Sequence, residues 1–147
     1  MKGYNCFGCC DDNPIGLHMH FYSDGDDVVS VWRANDNLMS WVDTLHGGIQ
    51  AVLLDEIAGW VPFYQFQSPA VTAKMEIRLK SPVRLSWPYI VLRSHVKERK
   101  RNILIVEATI SDPEGKLCVT SEYTYFMFSG EQAEQMLYKP ASLVGPE

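Results

Sequence analysis

No apolar run in this chain approaches the roughly 20 residues that a membrane-spanning helix needs, so a bilayer-crossing helix is not expected. Basic charge is also scarce. The 13 Lys and Arg residues are outnumbered by 18 Asp and Glu, a net charge of -5, whereas a general nucleic-acid surface needs a clustered Lys/Arg excess. Internal repeats and low-complexity blocks are absent, and so is the spacing of a disulfide framework. Of the four cysteines, Cys6, Cys9 and Cys10 crowd one short segment and Cys118 lies far away. Free thiols in a reducing compartment are the expectation. Met1 to Cys6 has no apolar core of a signal peptide, and the expected location is cytoplasmic.

What is present is an ordinary globular composition, with 46% hydrophobic and 21% charged residues in 147. That length suits one core, so residues 1–147 are read as a single domain with an N-terminal loop over 1–17 and a C-terminal extension over 131–147. Turn formers fill Cys6 to Leu17. Strands are expected over His18–Tyr22 and Val28–Ala34, joined by a turn-rich run, and Asp36–Asp43 reads as an irregular connection. Val71–Leu79 alternates strictly, with Val71, Ala73, Met75, Ile77 and Leu79 on one face, the pattern of a half-buried strand. Tyr89–Arg99, Ile103–Asp112 and Lys116–Phe128 are further strands, and Glu131–Tyr138 is expected to form a short helix. Between the first and second groups of strands, Ile49–Val61 is apolar nearly all round and is expected to be a buried helix ending at Pro62. The fold class is therefore α+β, one helix against a long antiparallel sheet.

Two adjacent acids, Asp55 and Glu56, interrupt this helix, and burying either one ionised is costly without a partner. Helical spacing puts Asp55 in line with Gly48, Ala51, Val52, Ala58 and Gly59, so small residues leave room beside the carboxylate. Glu56 shares the face of Ile49, Leu53 and Trp60, and is read as a surface or inter-subunit partner. At the helix start, Gly47 and Gly48 expose N–H groups at the positive end of the dipole, suited to polarising a carbonyl oxygen. A carboxylate and an oxyanion donor suit acyl transfer to water, with Asp55 as base or as nucleophile.

The run His46-Gly47-Gly48-Ile49-Gln50-Ala51-Val52-Leu53-Leu54-Asp55-Glu56 resembles the His-Gly-Gly helix signature of hotdog-fold acyl-CoA thioesterases of the phenylacetate-pathway and hydroxybenzoyl-CoA type. The leader around Cys6-Phe7-Gly8-Cys9 and Asn13-Pro14-Ile15-Gly16-Leu17 is similar to that of one branch. The resemblance implies a curved antiparallel sheet wrapped around one long central helix, and hydrolysis of an acyl-CoA to a carboxylic acid and free coenzyme A. It further implies a homodimer or homotetramer with the site at the subunit interface, and no metal or cofactor beyond the coenzyme A of the substrate. Carried over by residue, Gly47 N–H polarises the carbonyl, Asp55 activates or delivers the nucleophile, and His46 orders the helix start. Thr72, on a strand lining the neighbouring subunit's site, holds water. Ser40 stands where several members carry Asn, which leaves open a non-catalytic acyl-CoA-binding protein; a hotdog dehydratase or hydratase lacks its usual acid and histidine placement here.

The remaining candidates have plainer readings beside the functional one. Arg101, in the basic run from Lys97, is either a solvated turn residue or a contact for the coenzyme A phosphates. Trp60, like Phe63, Tyr64 and Phe66, is either core or the wall of an acyl pocket. Gly48 lies beside Gly47 as part of the substrate cradle. Cys6, Cys9 and Cys10 with His18 and His20 offer soft ligands but no second properly spaced pair, so no metal is assigned.

Overall fold

Period-two alternation carries most of the chain into one sheet. The computed structural model describes residues 4–128 and 130–132. Its strands are β1 (Tyr22–Asp24), β2 (Asp27–Trp32), β3 (Ala70–Leu79), β4 (Ile90–Lys100), β5 (Ile103–Ser111) and β6 (Leu117–Met127). They lie in the order β1-β2-β4-β5-β6-β3, every neighbouring pair antiparallel. β5 has the cleanest pattern: Leu104, Val106, Ala108 and Ile110 are fully buried, and the residues between them only partly so. The expected helix 131–138 and tail 139–147 fall outside the described residues, apart from Glu131 and Gln132.

The helix α1 (Gly47–Phe66) packs across β2 to β6. Gln50, Leu53, Leu54, Ile57, Ala58 and Val61 form its buried stripe at three- and four-residue spacing, and no residue from Ile49 to Phe66 is exposed. Three sheet hydroxyls fasten the helix by donating to its carbonyl oxygens. Ser94 reaches Ile57 O at 3.0 Å, Tyr123 reaches Ala51 O at 3.0 Å and Tyr125 reaches Asp55 O at 2.9 Å. The leader covers part of the helix's other side, where Phe21 stacks on Trp60 with ring centroids 4.8 Å apart.

Three local expectations differ from what is observed. α1 does not stop at Pro62 but runs one turn further. It ends where Gln67 turns left-handed (φ 48°) and Ser68 precedes Pro69, a position disfavoured for helix. The strand expected over 18–22 is mostly irregular. Leu17, Met19 and Phe21 do alternate inward, but Leu17 N–H and Met19 N–H bond to Phe7 O and Gly8 O of the leader instead of the sheet. β3 is an edge strand, largely exposed, and a bulge between Thr72 and Lys74 breaks its alternation. Thr72 pairs with Tyr125, whereas Met75, Ile77 and Leu79 pair with Tyr123, Ser121 and Val119. The extra residue thus moves Thr72 onto the helix side of the sheet together with Met75, Ile77 and Leu79, and puts Val71 on the outer face.

Candidate active site

Asp55 sits in mid-helix, where the stripe of small residues leaves its carboxylate only partly buried. The bulge in β3 brings Thr72 to it, and Thr72 Oγ1 donates to Asp55 Oδ1 at 2.8 Å. The Tyr125 hydroxyl of β6 lies 2.9 Å from the same oxygen and 2.9 Å from Asp55 O, its one proton shared between them. Oδ2 has no protein partner among the described residues, so one oxygen is tethered and the other is free to meet water or substrate. Burial, and then the charge of Asp55, push the Tyr125 hydroxyl well above the ordinary tyrosine range. It therefore stays protonated and acts as a donor. Tyr123 is raised for the same two reasons, burial first.

The helix start is built as an open donor site. His46 is the N-cap, and its Nδ1 accepts from Gly48 N–H at 2.9 Å. Gly47 N–H has no protein acceptor among the described residues. A side chain at Gly47 would meet Leu79 Cδ1 at 3.4 Å, so β3 runs alongside α1 from Thr72 beside Asp55 to Leu79 beside Gly47. Eight residue steps separate Gly47 from Asp55, about 12 Å along the axis at 1.5 Å per residue. That separation is too great for one thioester carbon to touch both groups of a single chain.

A scan of family models and a search of curated proteins return no match to this sequence. Solved structures do match. A thioesterase superfamily protein superposes with a TM-score of 0.72 at 18% identity, over 78% of this chain and 56% of that one. This chain therefore spans little more than half of that protein. A thioesterase from Haemophilus influenzae gives 0.68 at 22% identity, over 77% of this chain and 80% of the other. A Streptococcus mutans protein bound to acetyl CoA gives 0.72 at 17% identity, over 88% and 96%. One long helix laid across a six-stranded antiparallel sheet is what these structures share with this one. This chain has the hotdog fold.

Within the hotdog, the residues singled out from sequence fall into separate groups. Thr72 and Asp55 meet inside one chain, because the bulge in β3 turns Thr72 toward its own helix. Ser40 is exposed in the turn before α1, where its N–H and its Oγ both bond to Thr44 O, at 2.9 and 3.4 Å. Arg101 stands at the β4–β5 turn with φ 57°. That turn lies by the C-terminal end of α1, since Arg99 covers the Phe66 ring at 4.6 Å. Trp60 packs between Phe21 and Phe63 on the Glu56 side of the helix. An open groove of about 710 Å³ between the leader and the end of β2 is lined by residues such as Leu17, Trp32 and Arg33, and includes neither Asp55 nor Gly47.

Two features escaped the sequence reading. Tyr125 holds Asp55, and its signal was the inward alternation of Tyr123 and Tyr125 in an otherwise apolar strand face. Glu56 is no surface residue: the leader folds over it, and Cys6 Sγ lies 3.4 Å from its Oε1. Burial pushes the Glu56 carboxyl up to about 7. A hydrogen bond from Cys9 and the backbone N–H groups of Cys9 and Gly8 lower the Cys6 thiol to about 5.

Proposed function

We propose that this protein hydrolyses acyl-CoA thioesters in a homo-oligomer, with Asp55 of one chain and Gly47 N–H of a second acting on the same carbonyl. The observation that carries this reading is the tethered Asp55 carboxylate with its free Oδ2, together with an unpartnered N–H at the start of the same helix, about 12 Å away. Two helices packed antiparallel about a two-fold axis bring each Gly47 opposite the other chain's Asp55. β3 suits that arrangement. Its edge is unpaired, and Met75 and Leu79, on the helix side of the sheet, remain 48% and 56% exposed as if awaiting a cover.

In the reaction Asp55 Oδ2 takes a proton from water as the water oxygen attacks the thioester carbon. The carbonyl oxygen gains negative charge beside Gly47 N–H, where the helix dipole favours it. Collapse expels the coenzyme A thiolate, which is protonated, and leaves the carboxylic acid. Direct attack by Oδ2, followed by hydrolysis of the acyl-aspartyl anhydride, fits the same geometry. Thr72 and Tyr125 fix the carboxylate's orientation in either route. Arg101, in the turn by the far end of α1, would meet the coenzyme A phosphates of a site shared between chains. Four free thiols fit a cytoplasmic setting.

A second reading is binding without hydrolysis. It is favoured by the Streptococcus mutans neighbour, which holds acetyl CoA, and by Ser40 where an Asn is common among the thioesterases that the sequence resembles. Thiol release from short, medium, long and aromatic acyl-CoAs separates the two, run with the wild-type protein and Asp55→Asn. Hydrolysis that falls roughly a hundredfold or more in the variant, the scale of losing a general base, supports the thioesterase. Calorimetric binding of an acyl-CoA with thiol release at background supports the binding protein.

A further inference from the structure

On the face of α1 away from the sheet, the leader and the helix bring together Cys6, Cys9 and Glu56. One ligand atom of each lies within 4.8 Å of the others. We propose that these three side chains form a site for a thiophilic divalent cation, zinc being the natural occupant, with water in the fourth position, and that the ion clips the leader to the helix carrying Asp55.

One edge of the cluster already has the length expected in a tetrahedral site. Metal–sulfur and metal–oxygen bonds of about 2.3 and 2.0 Å put sulfur and oxygen about 3.5 Å apart in a tetrahedron; Cys6 Sγ and Glu56 Oε1 are 3.4 Å apart. The Cys6-Phe7-Gly8-Cys9 loop is a tight turn closed by Cys10 N–H to Cys6 O at 3.2 Å. Phe7 O and Gly8 O are fixed in turn by Leu17 and Met19. A Cβ at Gly8 would lie 2.5 Å from Glu56 Cδ, so glycine at this position is what lets the loop close onto the carboxylate.

Among the described residues no Lys, Arg or His pairs with Glu56, and two sulfur ligands select zinc-like ions over calcium or magnesium. The histidines that the sequence offered as ligands are engaged elsewhere, His18 with Asn13 O and His20 with Asp11. Cys10 Sγ faces Tyr4 O and stays outside the cluster. The site is independent of the thioesterase reading, since neither Asp55 nor Gly47 belongs to it.

The test is titration of the metal-free, fully reduced chain with Co²⁺ and then Zn²⁺, following thiolate-to-cobalt charge-transfer absorption and metal content after dialysis. The variants Cys9→Ser, Glu56→Gln and Cys10→Ser are run beside it, with circular dichroism confirming that each is folded. The expected result is one metal per chain with a two-thiolate spectrum, unchanged in Cys10→Ser, lost in Cys9→Ser and at least tenfold weaker in Glu56→Gln. A wild-type chain that binds no stoichiometric metal overturns the proposal. So does binding that survives in Cys9→Ser or that depends on Cys10, and so does a Glu56→Gln variant with undiminished affinity.

Discussion

Thr72 and Tyr125 both reach one oxygen of Asp55, so in the proposed reaction each would act by aiming the other oxygen. Replacing either hydroxyl removes one hydrogen bond to a charged acceptor, about 1.5–3 kcal/mol. Thr72→Val and Tyr125→Phe are therefore expected to lower kcat by roughly ten- to a hundredfold, with KM little changed. Steady-state thiol release measures this; variants with unchanged kcat would remove both residues from the site. Asp55 and Gly47 stood out as candidates in the sequence because an acid in an apolar helix and a glycine pair at a helix start are local signals. Thr72 was legible only by resemblance, because strict alternation puts it on the wrong face and no composition rule places the bulge that turns it round. Tyr125 was hidden for a related reason: in an inward-alternating strand its ring reads as core, and its hydroxyl matters only once α1 is laid across β6.

At the scale of elements, α1 is held by burial of its apolar stripe and by hydroxyls from β4 and β6. Ser94 is fully buried and donates to Ile57 O, so Ser94→Ala is expected to cost about 1 kcal/mol, read as a lowered midpoint in urea at unchanged m-value. The leader is the more sensitive joint. Gly8→Ala forces either Glu56 or the loop to move, and overpacking of this kind costs about 1–3 kcal/mol. Thermal unfolding of the metal-free chain should show it, and a Gly8→Ala protein as stable as wild type would mean that the loop is not seated on Glu56. The helix and five of the six strands were readable from periodicity to within a few residues. The stop at Pro62 was misread because a proline near the end of a helix removes one donor without requiring the chain to turn. The turn comes at Gln67, where Ser68 and Pro69 no longer support helical backbone.

For the whole molecule, the sequence signature of the central helix pointed to the fold, and the comparison with solved structures agrees with it. Assembly is the part that a single chain leaves open, and β3 is where it shows: an unpaired ten-residue edge with Met75 and Leu79 uncovered. Sedimentation analysis is expected to give at least a dimer, and Met75→Arg to shift it toward monomer with loss of thiol release. A fully active monomer would contradict the shared site. The most direct measurement uses two chains that are each inactive. Asp55→Asn lacks the carboxylate. Gly47→Pro lacks the N–H yet suits the first helical position, where proline is favoured, and His46 already has the extended backbone (ψ 131°) that precedes a proline. Each variant alone should lose a hundredfold or more of the hydrolysis. Unfolded together and refolded as an equal mixture, they should recover about a quarter of the wild-type rate, because half of the random dimers are mixed and each of those holds one intact site of two. Recovery at that level places Asp55 and Gly47 of different chains on one substrate; a mixture no more active than its parts contradicts it.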